Sequence, residues 1–451
     1  MWVDTINRKL KKKVGRKPIS KLWFLPITIL LLAVSFFYFG RLGANYLLEN
    51  IEPISLLKNG KFLVLFQNNA EIRSSGGFIG SYAVAKIENY EIRNLDFNTN
   101  ILALDRIFTD SNYVEPPAAM KNFLKNSSWA LRDANYNASF PDAVKDILKF
   151  YSLETGDQVD GVIAFNAQVM VDLLKTTGPI YLDKYKLTIT ADNFYDVTQY
   201  QVEKQYFQNP ENWVINEPKT FLKDLYPESI KHALDNKIEF AKLLKKELEN
   251  KEIIFYFVDS NKEQIAENYN WAGKIPTEQE LKDFYQTSDA VDYLYINSNS
   301  YSGDKSSIEI DESVDYQVTK TPDGQLEADL KITRLHTGSF NWPDGANRTW
   351  TRVFVPNGAT LLGAQINGRD VKSEMTIGSE ADKTFFGREI FANPGDAYVF
   401  ELTYLLPFKT DSDKALHLLV QKQPGVAGDK LTVLYQGELL YNGILDSDKK
   451  L

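Results

Sequence analysis

Two adjacent charged residues, Arg132 and Asp133, stand in the aromatic stretch "SSWALRDANYNASFPDAV" at 127–144. Charged side chains are almost never fully buried unless they are paired. A guanidinium that a carboxylate holds in orientation can offer its other donors to a phosphate or a carboxylate. The pair therefore predicts either an anion-binding site or a structural salt-bridge clamp, and both interpretations stay open.

A second candidate site follows the strand-like run 61–68, in the segment "QNNAEIRSSGGFIGS". The amides of Asn68 and Asn69 stand at the carboxyl end of that strand, where open α/β sheets bind their ligands. Gly76 and Gly77 allow backbone N–H groups to face an anion, with Arg73 as a positive partner. The alternative interpretation is a glycine-permitted turn or bulge that leads into the next strand.

Most common catalytic arrangements are missing from the sequence. There are no cysteines, which excludes thiolate nucleophiles, zinc fingers and disulfides. The three histidines, His232, His336 and His417, lie in unrelated segments and lack the spacing of a metal site or a Ser-His-Asp triad. Neither a phosphate-binding P-loop nor a G-x-S-x-G nucleophile motif occurs.

The charge distribution argues against nucleic-acid binding. The net charge is −9, but residues 1–21 carry eight Lys and Arg against Asp4, so the remaining chain is at −16. A general nucleic-acid binder needs a basic surface to displace counterions from phosphates. We therefore expect no nucleic-acid partner.

An apolar segment predicts a membrane anchor. Leu22 to Phe39 contains no charge and would span about 27 Å as a helix at ~1.5 Å per residue. The basic cluster before it places residues 1–21 in the cytoplasm by the positive-inside rule. We predict a transmembrane helix at 22–40 in the lipid bilayer of the cell membrane, a linker at 41–60 and everything beyond outside the cell. The alternative is a cleaved signal peptide.

The elements that must position the candidate residues are α/β and then all-β. Strand and helix patterns alternate over 61–298, which predicts an extracytoplasmic α/β domain. Within it we expect a hairpin that turns near Glu88 and Asn89, and a helix that Ser139 caps and Gly156 ends. Short alternating strands at 299–444 predict an immunoglobulin-like β-sandwich, and 445–451 is predicted to be a disordered tail.

The sequence resembles a bacterial cell-envelope family known only as a domain of unknown function. The resemblance is carried by the segments "FLVLFQNNAEIRSSGGFIGSYAVAKIE", "WALRDANYNASFPDAVKDILKFY", "QVDGVIAFNAQVMVDLLKTTGPIYL" and "YFVDSNKEQIAENYNWAGKI". More distantly, the order of elements resembles the LytR-CpsA-Psr family. Those membrane-anchored enzymes move glycopolymers from a polyprenyl-pyrophosphate carrier onto peptidoglycan.

The distant resemblance implies a mixed sheet with helices and a role for each candidate residue. Arg73 and Arg132 would hold pyrophosphate, and Asp133 would orient a guanidinium or help to bind a divalent cation such as Mg²⁺. Arg132 and Asp133 are then the catalytic candidates. Lys219 falls near a further arginine of that family, but a lysine lacks the guanidinium fork. The segment "GGFIGS" replaces an Arg-Ser-Asp segment, so one expected carboxylate is missing.

Two functional hypotheses follow from these features. In the first, a single-pass envelope protein binds, or binds and transfers, a polyprenyl-pyrophosphate-linked or otherwise phosphorylated cell-envelope glycopolymer or cell-wall glycan. The chemistry would be phosphotransfer, with arginines and a divalent cation stabilising the leaving pyrophosphate. In the second, the protein is a non-enzymatic surface adhesion or scaffolding protein, and Arg132 and Asp133 form only a clamp.

Overall fold

The computed structural model describes residues 52–124, 127–301, 303–409 and 416–451. The basic segment 1–21, the predicted transmembrane helix 22–40 and most of the predicted linker lie outside these residues. Among the described residues, no helix is both long and apolar enough to cross a membrane. The end of the predicted linker is a short 3-10 helix, Glu52–Leu57, whose Leu56 and Leu57 are buried.

The N-terminal part is mixed α/β. Its strands are β1 (Asn59–Arg73), β2 (Gly76–Glu88), β3 (Glu91–Asn98), β4 (Gly161–Asn166), β5 (Ile180–Leu182), β6 (Leu187–Ile189) and β7 (Ile253–Phe257). Five of them form one sheet in the order β3-β2-β1-β4-β7, and β5 pairs with β6 in a separate ribbon. Only β1 and β4 pair in parallel within the five-stranded sheet.

Helices cover both faces of this sheet. They are α1 (Ile101–Thr109), α2 (Ala118–Leu124), α3 (Phe140–Thr155), α4 (Gln168–Thr177), α5 (Phe194–Tyr200), α6 (Pro210–Ile215), α7 (Thr220–Asp235), α8 (Lys237–Glu249), α9 (Ser260–Asn268) and α10 (Glu278–Tyr285). One apolar core joins α4, α7 and α8 to the sheet, and another joins α1 and α3 to its opposite face. The central strand is therefore apolar at four successive positions, from Phe62 to Leu65, all of them buried.

Local sequence signals set several of these boundaries. The predicted hairpin turns at Asn89 and Tyr90, both with positive φ, between β2 and β3. Helix α3 begins after Ser139 and ends at Gly156, which adopts the left-handed conformation at φ 72°. A left-handed cap strongly favours glycine because glycine has no Cβ. The predicted hairpin and the predicted bounds of the helix are confirmed, but the Ser139 hydroxyl does not cap it and instead accepts from the backbone N–H of Ile275.

The C-terminal part is largely β and has two sheets. Its strands are β8 (Val291–Ser300), β9 (Ile310–Lys320), β10 (Gln325–His336), β11 (Asn347–Pro356), β12 (Thr360–Ile366), β13 (Arg369–Asp370), β14 (Thr376–Glu380), β15 (Lys383–Ala392), β16 (Ala397–Lys409), β17 (His417–Gln421), β18 (Asp429–Tyr435), β19 (Glu438–Leu445) and β20 (Lys449–Lys450). The sheet orders are β13-β12-β16-β10-β9-β18-β19 and β14-β15-β11-β8-β17-β20. Alternating apolar residues of both sheets share one core.

Two features at the ends of this part differ from the sequence-based expectation. Strand β8, expected in the α/β domain that ends at 298, pairs with β11 and β17 of the C-terminal sheets. A buried apolar run indicates a strand but not which sheet it joins. The predicted disordered tail is also folded, since Lys449 and Lys450 pair with β17 and Asp448 accepts hydrogen bonds from the buried Lys251. The polar composition of 445–451 suggested a solvated tail. The tail is folded because the Asp448 carboxylate neutralises the buried ammonium group of Lys251.

The turn between β1 and β2 joins the two parts. The backbone N–H of Ser74 donates to the side chain of Asn299 at 2.6 Å, and the carbonyl of Ser74 accepts from Asn297 at 2.9 Å. Arg352 donates to the Ser74 hydroxyl at 2.7 Å, and Gln423 donates to the carbonyl of Arg73 at 2.9 Å. The arginine-containing turn is therefore buried between the α/β part and the C-terminal sheets.

Candidate functional site

A cavity of about 130 Å³ opens where the parallel pairing of β1 with β4 ends. The last pair is Gln67 with Asn166, after which β1 continues only along β2 with shifts of register. We call this cavity the strand-end cavity. Its polar lining includes Gln67, Asn68, Asn166, Thr198, Lys219 and Lys305, and its walls are largely aromatic and aliphatic, among them Phe66, Phe78, Phe165, Phe194, Leu222 and Tyr226.

Lys219 places a cation in this cavity. It immediately precedes α7, and its Nζ donates to the carbonyl of Gly80 on β2. No carboxylate of the described residues lies within 4.0 Å of this ammonium group. Burial, together with the nearby charge of Lys305, lowers the pKa of Lys219 to about 7. Glu203 also lines the cavity, and its charge and that of Glu71 partly offset this lowering of the pKa. Because neither carboxylate contacts the ammonium group directly, a bound anion could pair with it.

Three polar side chains at the cavity have unused hydrogen-bonding atoms. Gln67 is 2% exposed, yet neither its amide oxygen nor its amide nitrogen has a partner. Oδ1 of Asn166 and Oγ1 of Thr198 are likewise buried without partners. Buried polar atoms are normally hydrogen-bonded, so each exception needs an explanation. A polar ligand or ordered water in the cavity would supply the missing partners.

Gly76 and Gly77 allow close packing beside the cavity. Gly76 has φ 136°, and a Cβ there would lie 2.1 Å from the amide oxygen of Gln67. A Cβ at Gly77 would lie 2.2 Å from the carbonyl carbon of Asn68. The glycines thus let β2 approach the irregular segment of β1, which is the arrangement expected from a turn or bulge.

Asn69 lies beside the cavity rather than in its lining. Its side chain accepts a hydrogen bond from the hydroxyl of Tyr195 at 2.8 Å and donates to the carbonyl of Gly425 at 3.0 Å. Its amide therefore ties α5 to the C-terminal part. Of the predicted ligand-binding residues, the structure places Asn68 and Lys219 together in the cavity lining.

Arg73 is buried in ion pairs next to this region. It is 2% exposed and sits at the end of β1. Its Nη2 lies 2.8 Å from Glu71 and 3.2 Å from Asp133, and its Nη1 donates to the carbonyl of Ser300. The guanidinium also packs on the ring of Tyr301, 4.5 Å from the ring centroid. These contacts make Arg73 a clamp between the two parts of the protein.

Arg132 and Asp133 continue this set of ion pairs. They lie in a short 3-10 helix, Leu131–Asp133. The side chain of Arg132 is 26% exposed, and its Nε lies 3.1 Å from the second oxygen of Asp133. Its Nη1 lies 3.4 Å from the buried carboxyl of Asp105. At the other end, Lys305 pairs with Glu71 at 2.5 Å.

Six ionisable side chains therefore form one continuous series of contacts, which we call the charge ladder. In order they are Lys305, Glu71, Arg73, Asp133, Arg132 and Asp105. The charge ladder begins at Lys305, which lines the strand-end cavity, and ends at Asp105 on the buried face of α1. It brings Arg73, Arg132 and Asp133 together, as the sequence hypothesis required, but with Arg73 enclosed by protein groups.

A carboxyl pair stands at the far end of the ladder. Burial and the charge of Glu154 raise the pKa of Asp105 well above its usual range, and burial also raises the pKa of Glu154. One oxygen of Glu154 accepts from the backbone N–H of Leu131 at 2.9 Å. The two carboxyl groups share a desolvated position, so they resist simultaneous ionisation.

In the part of the chain that the structure describes, the predicted divalent cation has no suitable group of ligands. Among the described residues, no cluster of three or more His, Asp or Glu side chains could hold a metal ion. Each oxygen of Asp133 already faces an arginine. These residues do not fit Mg²⁺, and the cation implied by the resemblance stays a prediction.

Several residues of the cavity could not be identified from the sequence. Lys305 and Tyr195 come from segments distant from β1, and no local motif marks either of them. Asn166 had a signal, because it ends the second parallel strand next to Gln67 and carboxyl ends of parallel strands meet at one edge.

Comparisons with known proteins identify one part of the chain. A search of curated proteins found no match. Among solved structures, a proposed nutrient binding protein from Legionella pneumophila matches at 10% identity and TM-score 0.21, over 28% of this chain and 50% of that one. An M1 zinc metallopeptidase from Deinococcus radiodurans matches at 16% identity and TM-score 0.17, over 28% of this chain and 32% of that one. The chain thus covers half or less of these proteins, and TM-scores this low do not show a common fold.

A family model gives a more specific result. The model described as "Protein of unknown function (DUF4012)" matches residues 58–202, which include β1 to β6, the arginine-containing turn and most of the polar lining of the strand-end cavity. The match gives no link to the LytR-CpsA-Psr family. Residues 58–202 are a DUF4012 family domain.

Proposed function

We propose that this protein is a membrane-anchored, extracytoplasmic binding protein for a phosphorylated cell-envelope glycopolymer on a polyprenyl-pyrophosphate carrier. The strand-end cavity would take the phosphate end of the carrier. The observation that carries the proposal is Lys219, an ammonium group without a carboxylate partner among the described residues, in a mostly apolar cavity.

The electrostatics of the cavity support an anionic ligand. Burial and Lys305 lower the pKa of Lys219 to about 7, so an unliganded site loses part of its charge near neutral pH. A bound phosphate would restore the protonated form, because an opposite charge within a few ångströms stabilises it. The low dielectric of the apolar walls strengthens that attraction.

The walls support the lipid part of the ligand. Phe66 stacks with Phe97 and with Tyr226, at centroid distances of 5.7 and 5.5 Å, and Leu222 lies beside them. Such a surface suits the isoprenoid units next to the pyrophosphate. Apolar contact contributes about 25 cal/mol per Å² removed from water.

Binding has more support than transfer in this proposal. Nη1 and Nη2 of Arg73 donate to Glu71, Asp133 and the carbonyl of Ser300. Its Nε has no partner among the described residues but is buried, so Arg73 has little to offer to a leaving pyrophosphate. Arg132 is the more accessible of the two arginines. Phosphotransfer by Arg132 and Asp133, in the manner of the LytR-CpsA-Psr enzymes, therefore remains the less supported part of the hypothesis.

The test is binding of farnesyl pyrophosphate, a short soluble carrier analogue, to the full chain in detergent, measured by isothermal titration calorimetry. We expect Lys219→Met to lower the affinity at least tenfold, and Lys219→Arg to retain part of it. Lys223→Met is the matched control, because Lys223 is exposed one turn further along α7 and should not affect binding. Equal binding by the parent protein and Lys219→Met would refute the proposal.

A second candidate function is surface adhesion or scaffolding without catalysis, with the C-terminal sheets as an immunoglobulin-like module that presents a partner-binding face. The enclosure of Arg73 in the charge ladder favours it. Lys219→Met separates the two candidates, because Lys219 lines the strand-end cavity and Arg132 does not. Loss of farnesyl pyrophosphate binding at an unchanged melting temperature supports the carrier-binding function. Absence of binding by the parent protein supports the scaffold.

A further inference from the structure

The inward-facing positions of the C-terminal sheets change from apolar to polar at one end. On β10, Leu330 and Ile332 are followed by Arg334, and on β9 Glu312 precedes Val314. The same change occurs on five strands, the polar residues being Ser298 on β8, Glu312 on β9, Arg334 on β10, Thr349 and Thr351 on β11, and Asp429 on β18. At the same level, β15 and β16 keep the core residues Ile390 and Tyr398. Five strands thus contribute polar side chains to one end of the space between the sheets.

Arg334 organises these side chains. It is 4% exposed and forms an ion pair with Glu312, its cross-strand neighbour. Its Nη2 donates to the hydroxyl of Ser298 at 2.6 Å, and its Nη1 donates to that of Thr351 at 3.0 Å. Strand β18 pairs in parallel with β9 on the side away from β10, and its Lys430 lies opposite Ser313. Asp429, one residue earlier, is therefore next to Glu312. An arginine and two carboxyl groups therefore form a row across three strands.

Folding alone does not account for this row. Replacing buried ion pairs by packed apolar residues of similar volume is often neutral or stabilising. Neighbouring positions on the same strands show that the space accepts aliphatic side chains. Places where a fold departs from its own pattern at a cost in stability are expected to be functional sites.

The polar end opens into a cavity of about 700 Å³ between the two parts of the protein. We call it the junction cavity. Asn69 and Tyr195 close it on the α/β side, and residues 425–428, between β17 and β18, form another wall. Tyr195 also lines the strand-end cavity, so the two cavities are neighbours. Ligand sites are commonly of this size and occur preferentially at junctions between domains.

The free groups of the junction cavity suit an uncharged polar ligand. The charges of Arg334 and Glu312 cancel in their ion pair. Asp429 has no hydrogen-bond donor or cation within bonding distance among the described residues. Burial and the charge of Glu312 raise its pKa well above the usual range, so the carboxyl group can both donate and accept a hydrogen bond. Ile72, Val426 and Ile444 add apolar wall against which C–H groups can pack.

We propose that the junction cavity is a binding site for a neutral oligosaccharide, with Asp429 as a direct contact to a sugar hydroxyl. Sugars present many hydroxyl groups that both donate and accept, together with apolar C–H faces, and they carry no charge to be desolvated. This site does not depend on phosphate binding in the strand-end cavity.

The experiment uses the full chain in detergent on an array of neutral oligosaccharides of two to four residues, followed by calorimetry with the strongest binder. We expect binding by the parent protein and at least a tenfold loss of affinity in Asp429→Leu. Asp429→Asn should lose less, because an amide also donates and accepts. Asp315→Leu is the control, since Asp315 is exposed on the opposite face of the same sheet.

Melting temperatures distinguish the loss of a ligand contact from a loss of folding. Because Asp429 has no partner, Asp429→Leu should keep or raise the melting temperature while it removes sugar binding. No binding to any oligosaccharide of the array would overturn the proposal. Undiminished binding by Asp429→Leu, or a melting temperature well below that of Asp315→Leu, would overturn the role of Asp429 as a ligand contact.

Discussion

Arg73 and Arg132 share the carboxylate of Asp133, with one oxygen 3.2 Å from Nη2 of Arg73 and the other 3.1 Å from Nε of Arg132. The two arginines are thus gathered at one place by the fold, although 59 positions separate them. Arg73 is enclosed and Arg132 is partly open to solvent. The same carboxylate therefore acts as a structural clamp on one side and borders the surface on the other.

This sharing predicts a large loss of stability for Asp133→Ala. Removing one partner of a buried ion pair leaves an uncompensated charge and costs about 3–5 kcal/mol. We expect a loss of that order in the free energy of unfolding, measured by guanidinium chloride denaturation. Arg132→Ala should cost much less, because the Arg132 side chain is 26% exposed and water can replace it. Equal effects of the two variants would contradict the clamp.

The sequence predicted the local parts of this arrangement better than the long-range ones. The Arg-Asp pair, the hairpin at Asn89 and the cap at Gly156 are visible in short windows, because turn and cap chemistry depends on neighbouring residues. The assignment of β8 to the C-terminal sheets and the approach of Lys305 to Glu71 depend on pairing over more than 100 positions. No local pattern encodes the choice of such partners.

In the candidate site too, local features were easier to predict from the sequence than long-range contacts. Asn68 was identified from residue type and position and Lys219 from the distant family resemblance, and both line the strand-end cavity. The role of Arg73 was less predictable. A glycine-rich turn with an arginine is compatible with an anion site and with a buried connection, and the partner surface around Ser74 is contributed by Asn297, Asn299 and Arg352.

Asp105→Asn should change how stability depends on pH. The pKa of Asp105 is raised above its ordinary value of 3.8, so the folded state holds its proton over a range where the unfolded state has lost it. The stability that the protonated form contributes is complete below about pH 4 and is lost as the pH rises through the raised pKa. The asparagine variant keeps a neutral group at every pH.

We therefore expect the parent protein and Asp105→Asn to unfold with similar free energies near pH 4.5, and the variant to be the more stable near pH 8.5. Each pKa unit corresponds to about 1.4 kcal/mol. Urea denaturation at the two pH values measures the difference. Asp110→Asn, exposed at the end of the same helix, serves as the control. A variant that is less stable at pH 8.5 would show that Asp105 is ionised there.

Lys219 should be unusually reactive near neutral pH. With a pKa of about 7, Lys219 is the free amine in more than half of the molecules at pH 7.5. For an ordinary lysine that fraction is about one in a thousand. Brief reductive methylation followed by peptide mass spectrometry should modify Lys219 ahead of the exposed Lys223. Farnesyl pyrophosphate should protect it, because the bound anion favours the protonated form. Faster modification of Lys223 would contradict the lowered pKa.

The C-terminal end should contribute substantially to stability through Asp448. Its carboxylate accepts from Nζ of Lys251 at 2.7 Å and from Asn270 at 2.8 Å, and the Lys251 side chain is 0% exposed. Burial lowers the pKa of Lys251, and the charge of Asp448 counteracts this effect. Asp448→Ala would leave the ammonium group without its carboxylate. We expect a loss of about 3–5 kcal/mol in the free energy of unfolding.

Asp446→Ala is the matched control for that variant, because Asp446 pairs with Lys449 at the surface and its side chain is 54% exposed. Surface ion pairs contribute about 0–1 kcal/mol. Part of the cost in Asp448→Ala can be relieved if Lys251 deprotonates, so the loss should shrink as the pH is raised from 7 to 9. A loss independent of pH, or equal in the two variants, would mean that the terminal strand is held by its pairing with β17 and not by the buried ion pair.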